Sequence, residues 1–137
     1  MFTPERIDAL KENEVFVFGS NYSGRHGAGA AYLAWNKFGA EMGIGEGLTG
    51  QCYALPTMDE YFRTLPLVEI KGKIENFINV CKEHIGKVFL LTKIGCGIAG
   101  YSPAQIALLF KEFLPLPSNL VLPREFYELL YPKAPGV

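Results

Sequence analysis

Apolar residues in this chain gather into short continuous runs that alternate with stretches of helical period. Val15-Phe16-Val17-Phe18, ended by Gly19, reads as a strand buried on both faces. Tyr53-Ala54-Leu55, closed by Pro56-Thr57, supplies a second strand. Lys87-Val88-Phe89-Leu90-Leu91-Thr92 supplies a third, apolar enough to be central. Leu120-Val121-Leu122 is a short last one. Between them, Ala28 to Phe38 reads as a helix with Ala31, Ala34, Trp35 and Phe38 on one face, stopped by Gly39. Leu67 to Ile85 is the clearest amphipathic helix. Leu67, Ile70, Ile74, Phe77, Ile78, Cys81 and Ile85 recur at spacings of three and four, and Gly86 ends it.

Ser102-Pro103-Ala104-Gln105 has the form of a capping box with proline at the first helical position, opening a largely buried helix through Phe113. Thr3-Pro4 reads as a cap and first position of a short helix over 4–11. The segment from Ala40 to Gly50, with Gly43, Gly45, Gly47 and Gly50, reads as a mobile loop. The tail, with Pro123, Pro132 and Pro135, reads as irregular. Strands alternating with helices imply an α/β class with a mostly parallel sheet and right-handed crossovers.

The chain has 137 residues, which implies a single domain over 1–137. A charged fraction of 20% and a net charge of −1 describe a globular protein without the basic surface that bulk nucleic-acid binding requires. No apolar run approaches the ~20 residues of a membrane span. The N-terminus lacks the basic start and apolar centre of a signal peptide. Cys52, Cys81 and Cys96 are odd in number and follow no metal-ligand spacing, and His26 and His84 are too few and scattered for zinc. These features favour a reducing, cytoplasmic setting with no metal or cofactor.

Two glycine-rich turns carry the candidate chemistry: Phe18 to Gly29 and Ile94 to Tyr101, each leaving a strand and opening a helix. Such turns direct free N–H groups and a helix dipole at one point. In a parallel sheet both would lie on the edge where ligands bind, at the carboxyl ends of the strands. The candidate ligand-binding residues are Asn21, Gly24, Arg25, His26, Gly27, Ala28 and Gly29 from the first turn. From the second they are Gly95, Cys96, Gly97, Ile98, Ala99, Gly100 and Tyr101.

Each side chain has a functional and a structural reading. Asn21 orients a ribose or closes an Asx turn. Arg25 clamps phosphate oxygens or lies solvated. His26 transfers protons or is held by loop hydrogen bonds. Cys96 is a nucleophile activated near a helix start, or a small loop residue. Tyr101 covers a ribose or phosphate edge in preference to packing wholly in the core. Asp59, with Glu60, activates water or is merely solvated. Gly97 is expected to need a positive φ and to leave room for a phosphate oxygen.

Gly95-Cys96-Gly97-Ile98-Ala99-Gly100-Tyr101, with the strand before and the helix after, resembles the second phosphate-binding loop of macro domains, the ADP-ribose-binding fold. The Ile-Gly-Cys-Gly wording is closest to the branch containing terminal ADP-ribose-glutamate hydrolases. Val15 to Ala31 is similar to the family's first half-site, with Asn21 at the asparagine that contacts the distal ribose. The resemblance spans two short blocks and implies a three-layer α/β/α domain that binds ADP-ribose or a related nucleotide diphosphate, free or on an ADP-ribosylated protein.

Two parts of the family pattern are missing. No Gly-Asp-Ile segment stands near the start to hold an adenine amino group. The catalytic Lys/Asp pair is also absent: Ala99 occupies the aspartate position, and Pro56-Thr57-Met58 holds no lysine. Binding is therefore the leading expectation. A small hydrolase using His26, Asp59 or Cys96 is the alternative, and an interaction module with structural glycine loops is the second.

Overall fold

The computed structural model describes residues 1–133. The elements run β1 (Glu14–Asn21), α1 (Gly29–Lys37), β2 (Gly47–Thr49), β3 (Cys52–Met58), α2 (Leu67–Glu83), β4 (Val88–Leu91), α3 (Pro103–Ala107), β5 (Leu120–Val121) and α4 (Arg124–Leu130). A 3-10 segment, Leu108–Phe113, continues α3. The five strands form one sheet in the order β2-β3-β1-β4-β5. All neighbours are parallel except β2 and β3, so the sheet is mixed and mostly parallel.

The unbroken apolar run of β1 is explained by burial on both sides. Val15 and Val17 join one core cluster with Tyr53, Leu55, Phe89 and Leu91, beneath Ile70, Ile74 and Phe77 of α2 and Ile106 of α3. Phe16 and Phe18 join the opposite cluster with Ala34, Phe38, Cys52 and Ala54. Fully burying one such side chain is worth about 1.5–3 kcal/mol, so this alternation fixes the register of the central strand.

Several expectations need correction. Residues 4–11 are not helical. Thr3 instead donates from its N–H to the Leu122 carbonyl (2.8 Å) and from Oγ1 to the Val121 carbonyl (3.0 Å), so its hydroxyl serves the edge of β5 and not a helix cap. The tail is helical where irregular chain was expected. Pro123 stands at the N-cap position of α4, and Phe126 and Leu130, one turn apart, are its buried residues. Pro135 lies outside the described residues. Trp35 is exposed and rests against Tyr32, while Ala34 and Phe38 are buried, with Ala31 and Leu33 packed partly against the same core. Ile85 is exposed because α2 ends at Glu83. Asn119 supplies the stop, its Nδ2 donating to the carbonyls of Cys81, His84 and Lys87 at 3.0–3.1 Å. The helix expected through Phe113 tightens to 3-10 geometry after Ala107, and Leu108 is half exposed.

The segment from Ala40 to Gly50 is built into the fold. Gly43 N–H donates to the Gly24 carbonyl at 2.9 Å, and Ser20 Oγ donates to the Gly45 carbonyl. A Cβ on Gly24 would stand 2.4 Å from the Gly43 carbonyl carbon, and one on Gly45 would stand 2.3 Å from the Asn21 oxygen. These glycines let two backbones touch. No helix among the described residues is long and apolar enough to cross a membrane.

Candidate functional site

Because β1 and β4 are adjacent and parallel, the loops that leave them face each other at their carboxyl ends. Between them lies a cavity of about 700 Å³, a size that suits a small molecule. Its walls are Gly19-Ser20-Asn21, Arg25, Gly27 to Ala31, Thr57-Met58, Phe62 and Thr92 to Ala99. Among the described residues no carboxylate lines it, while Arg25 and Lys93 do. A second cavity adjoins at the β4–β5 end and shares Thr92 and Lys93 with the first. Lys93 Nζ stands 2.9 Å from Glu125 on that border.

The loop backbones supply unmatched donors. The N–H groups of Gly95, Gly97, Ile98 and Ala99 find no acceptor among the described residues. The loop's own bonds use Ile94, Cys96, Gly100 and Tyr101 as donors. Opposite them, α1 begins at Gly29 after Ala28, which offers no side-chain cap. The N–H groups of Gly27 to Ala31 are equally without acceptors among the described residues. A helix start of this kind carries roughly half a positive charge. Two sets of free donors thus face one cavity, an arrangement suited to anionic oxygens.

The sequence candidates divide on inspection. Gly27, Ala28 and Gly29, Arg25 and Asn21, and Gly95 to Ala99 all line the cavity. Asn21 also holds the loop closed: Nδ2 donates to the Arg25 carbonyl (2.9 Å), while Oδ1 accepts from Ser23 Oγ (2.7 Å) and Arg25 N–H (3.1 Å). Gly24 and Gly100, both with positive φ, stand off the wall and shape the turns. In the second loop Gly95 has positive φ at 73°, as Gly100 does; Gly97 does not, and a Cβ on it meets no atom within 4 Å. Tyr101 turns away from the cavity, donating from its hydroxyl to the Leu65 carbonyl at 2.7 Å and packing on the core.

The three catalytic candidates are placed for other work. His26 is fully buried off the cavity wall, edge-on to Phe18, with Nε2–H donating to the Glu41 carbonyl at 3.0 Å and Nδ1 without a partner. Asp59 accepts from the N–H groups of Tyr61 and Arg63 and from Arg63 Nε. Burial raises its carboxyl pKa, but these hydrogen bonds and the guanidinium charge outweigh that and hold it below the ordinary value. Cys96 does line the cavity, yet burial and the Glu125 charge push its thiol up despite Lys93, the reverse of what a nucleophile needs. Cys52 and Cys81 are core residues whose thiols burial pushes to about 12. No group of His, Cys, Asp or Glu among the described residues is arranged to hold a metal.

Phe62 and Lys93 went unread in the sequence. Phe62 lies in a turn with no motif of its own, and Lys93 follows a strand whose register was unknown. No protein-family model, curated protein or solved structure matches this chain.

Proposed function

We propose that this protein binds ADP-ribose or a closely related nucleoside diphosphate sugar, gripping the diphosphate between its two glycine loops. The observation that carries this reading is the pair of facing donor sets, Gly27 to Ala31 on one side and Gly95 with Gly97 to Ala99 on the other, on one cavity that no carboxylate among the described residues lines. A charge-assisted hydrogen bond contributes about 1.5–3 kcal/mol, so a few such contacts suffice for micromolar affinity. The β–loop–helix order on both sides of the cleft supports the macro-like, three-layer α/β/α interpretation of the fold. In this reading the sugar end lies toward β3 and the base extends over Thr92 and Lys93 into the adjoining cavity.

Binding is favoured over hydrolysis by the placement of the side chains. His26 is sealed in the core and Asp59 is consumed by its own turn. Burial and the Glu125 charge raise the pKa of the Cys96 thiol, which disfavours the thiolate. An increase in Tm on adding ADP-ribose, scaling with the logarithm of its concentration, is the expected outcome. An unchanged Tm at millimolar ligand contradicts the reading.

A further inference from the structure

The turn after β3 holds one bulky residue in a conformation that side chains disfavour. Phe62 has φ 61°, a left-handed backbone rare for anything but glycine, asparagine or aspartate. Its surroundings enforce it. The Asp59 carboxylate accepts from Tyr61 N–H (2.8 Å), Arg63 N–H (2.9 Å) and Arg63 Nε (2.8 Å). Asp59 N–H donates to the Arg63 carbonyl (2.8 Å), and Phe62 N–H donates to the Asp59 carbonyl (3.1 Å). Thr64 Oγ1 then ties the turn to the second glycine loop by donating to the Ala99 carbonyl at 3.0 Å.

Glycine at this position would relieve the strain, so the turn itself gives no reason for a phenylalanine. Strain that is enforced in this way points to the side chain's work. The Phe62 ring lines the cleft and remains 47% exposed. The Arg25 guanidinium lies 5.9 Å from its centroid.

We propose that Phe62 is the specificity-determining residue of the cleft, its ring forming the platform for the terminal sugar of a nucleoside diphosphate sugar. The proposal rests on the reading of the cleft as a diphosphate site. Phe62 lines the cleft from the turn that follows β3, and β1 separates β3 from β4, the strand that leads into Thr92 and Lys93. With the base laid over Thr92 and Lys93, as in the proposed reading of the cleft, the group Phe62 meets is the one carried beyond the phosphates on the β3 side. The C–H face of a ribose packs against an aromatic face, and the five guanidinium donors of Arg25 are then within the same wall for its hydroxyls.

The test is calorimetric titration of ADP-ribose and of ADP into the wild type and Phe62→Gly, with melting curves for both proteins. ADP keeps the base and both phosphates and lacks only the terminal sugar. Phe62→Gly is expected to melt within about 3 °C of the wild type or above it, because lost strain offsets lost ring contacts. It should bind ADP unchanged and ADP-ribose about threefold to tenfold more weakly. Phe62→Tyr should bind ADP-ribose as the wild type does.

Unchanged ADP-ribose affinity in Phe62→Gly overturns the platform, as does an equal weakening of both ligands. A larger fall in Tm overturns it too, by showing that the ring serves packing. A wild type that binds neither nucleotide contradicts the diphosphate reading, and the platform with it. One that binds both with no response to Phe62→Gly sinks the platform alone.

Discussion

Gly95 and Gly97 stand on either side of Cys96, yet substitutions at the two should separate folding from binding. At Gly95 the backbone has φ 73°, and an added Cβ lies 2.7 Å from Ile106 Cδ1 and 3.1 Å from Cγ1. The left-handed backbone costs an L-residue about 1–2 kcal/mol. Ile106 is fully buried and must shift, which adds about 1–3 kcal/mol of overpacking. For a chain of this length a loss of that combined size lowers Tm by roughly 7–17 °C. Gly95→Ala should therefore be a stability variant.

At Gly97 no protein atom comes within 4 Å of an added Cβ, and φ is outside the left-handed region. Gly97→Val should melt within about 3 °C of the parent. Its branches occupy open space at the cleft wall, beside an N–H with no acceptor among the described residues. Loss of one charge-assisted bond to a phosphate oxygen, about 1.5–3 kcal/mol, weakens ADP-ribose by roughly 10–150-fold. Circular dichroism melting and calorimetric titration of both variants decide the matter. A Gly97→Val protein that binds like the parent, or a Gly95→Ala protein that melts like it, refutes the reasoning.

Asp59→Asn should lower Tm by a few degrees at pH 7, because the carboxylate anchors its turn through three accepted hydrogen bonds. The folded-state pKa of Asp59 lies below its unfolded value, so this stabilisation is complete above pH ~3.9 and fades as pH falls through the folded value. Melting curves of parent and variant should converge in acid; a gap that persists there contradicts the assignment. Cys96→Ala should keep ADP-ribose affinity within a few-fold of the parent from pH 6 to 8, since burial raises the thiol pKa and disfavours the thiolate. A tenfold loss in the same titration would show that the thiol contacts ligand.

Four of the five strands, and both glycine loops at their carboxyl ends, were legible because apolar runs of fixed length leave few alternatives to buried strands; β2 and the adjacency of β1 and β4 were not. The capping box at Ser102 also formed as read, its hydroxyl accepting from Gln105 N–H while Gln105 Oε1 accepts from Ser102 N–H. What failed was whatever depends on partners distant in the chain. Thr3 is engaged by Val121, a contact that overrides a local cap signal. Gly43 and Gly45 looked like flexible coil because sequence shows a missing side chain but not the backbone that fills its place.

At the site, the cleft-facing backbone could be read from glycine spacing, whereas the fate of side chains could not. His26 and Tyr101 sit within two residues of cavity-lining positions, yet both turn into the protein. Phe62 lacked any signal, since its strained φ arises from hydrogen bonds to Asp59 and not from its own propensity.

The most direct measurement is a calorimetric titration of the wild-type protein with ADP-ribose, run beside AMP under the same conditions. Saturable one-to-one binding of ADP-ribose, with AMP much weaker, is the predicted result, because AMP cannot bridge the donors of Gly27 to Ala31 and those of Gly95 and Gly97 to Ala99 with a diphosphate. No binding of ADP-ribose, or equal affinity for the two nucleotides, would contradict the claim that these loops form a diphosphate clamp.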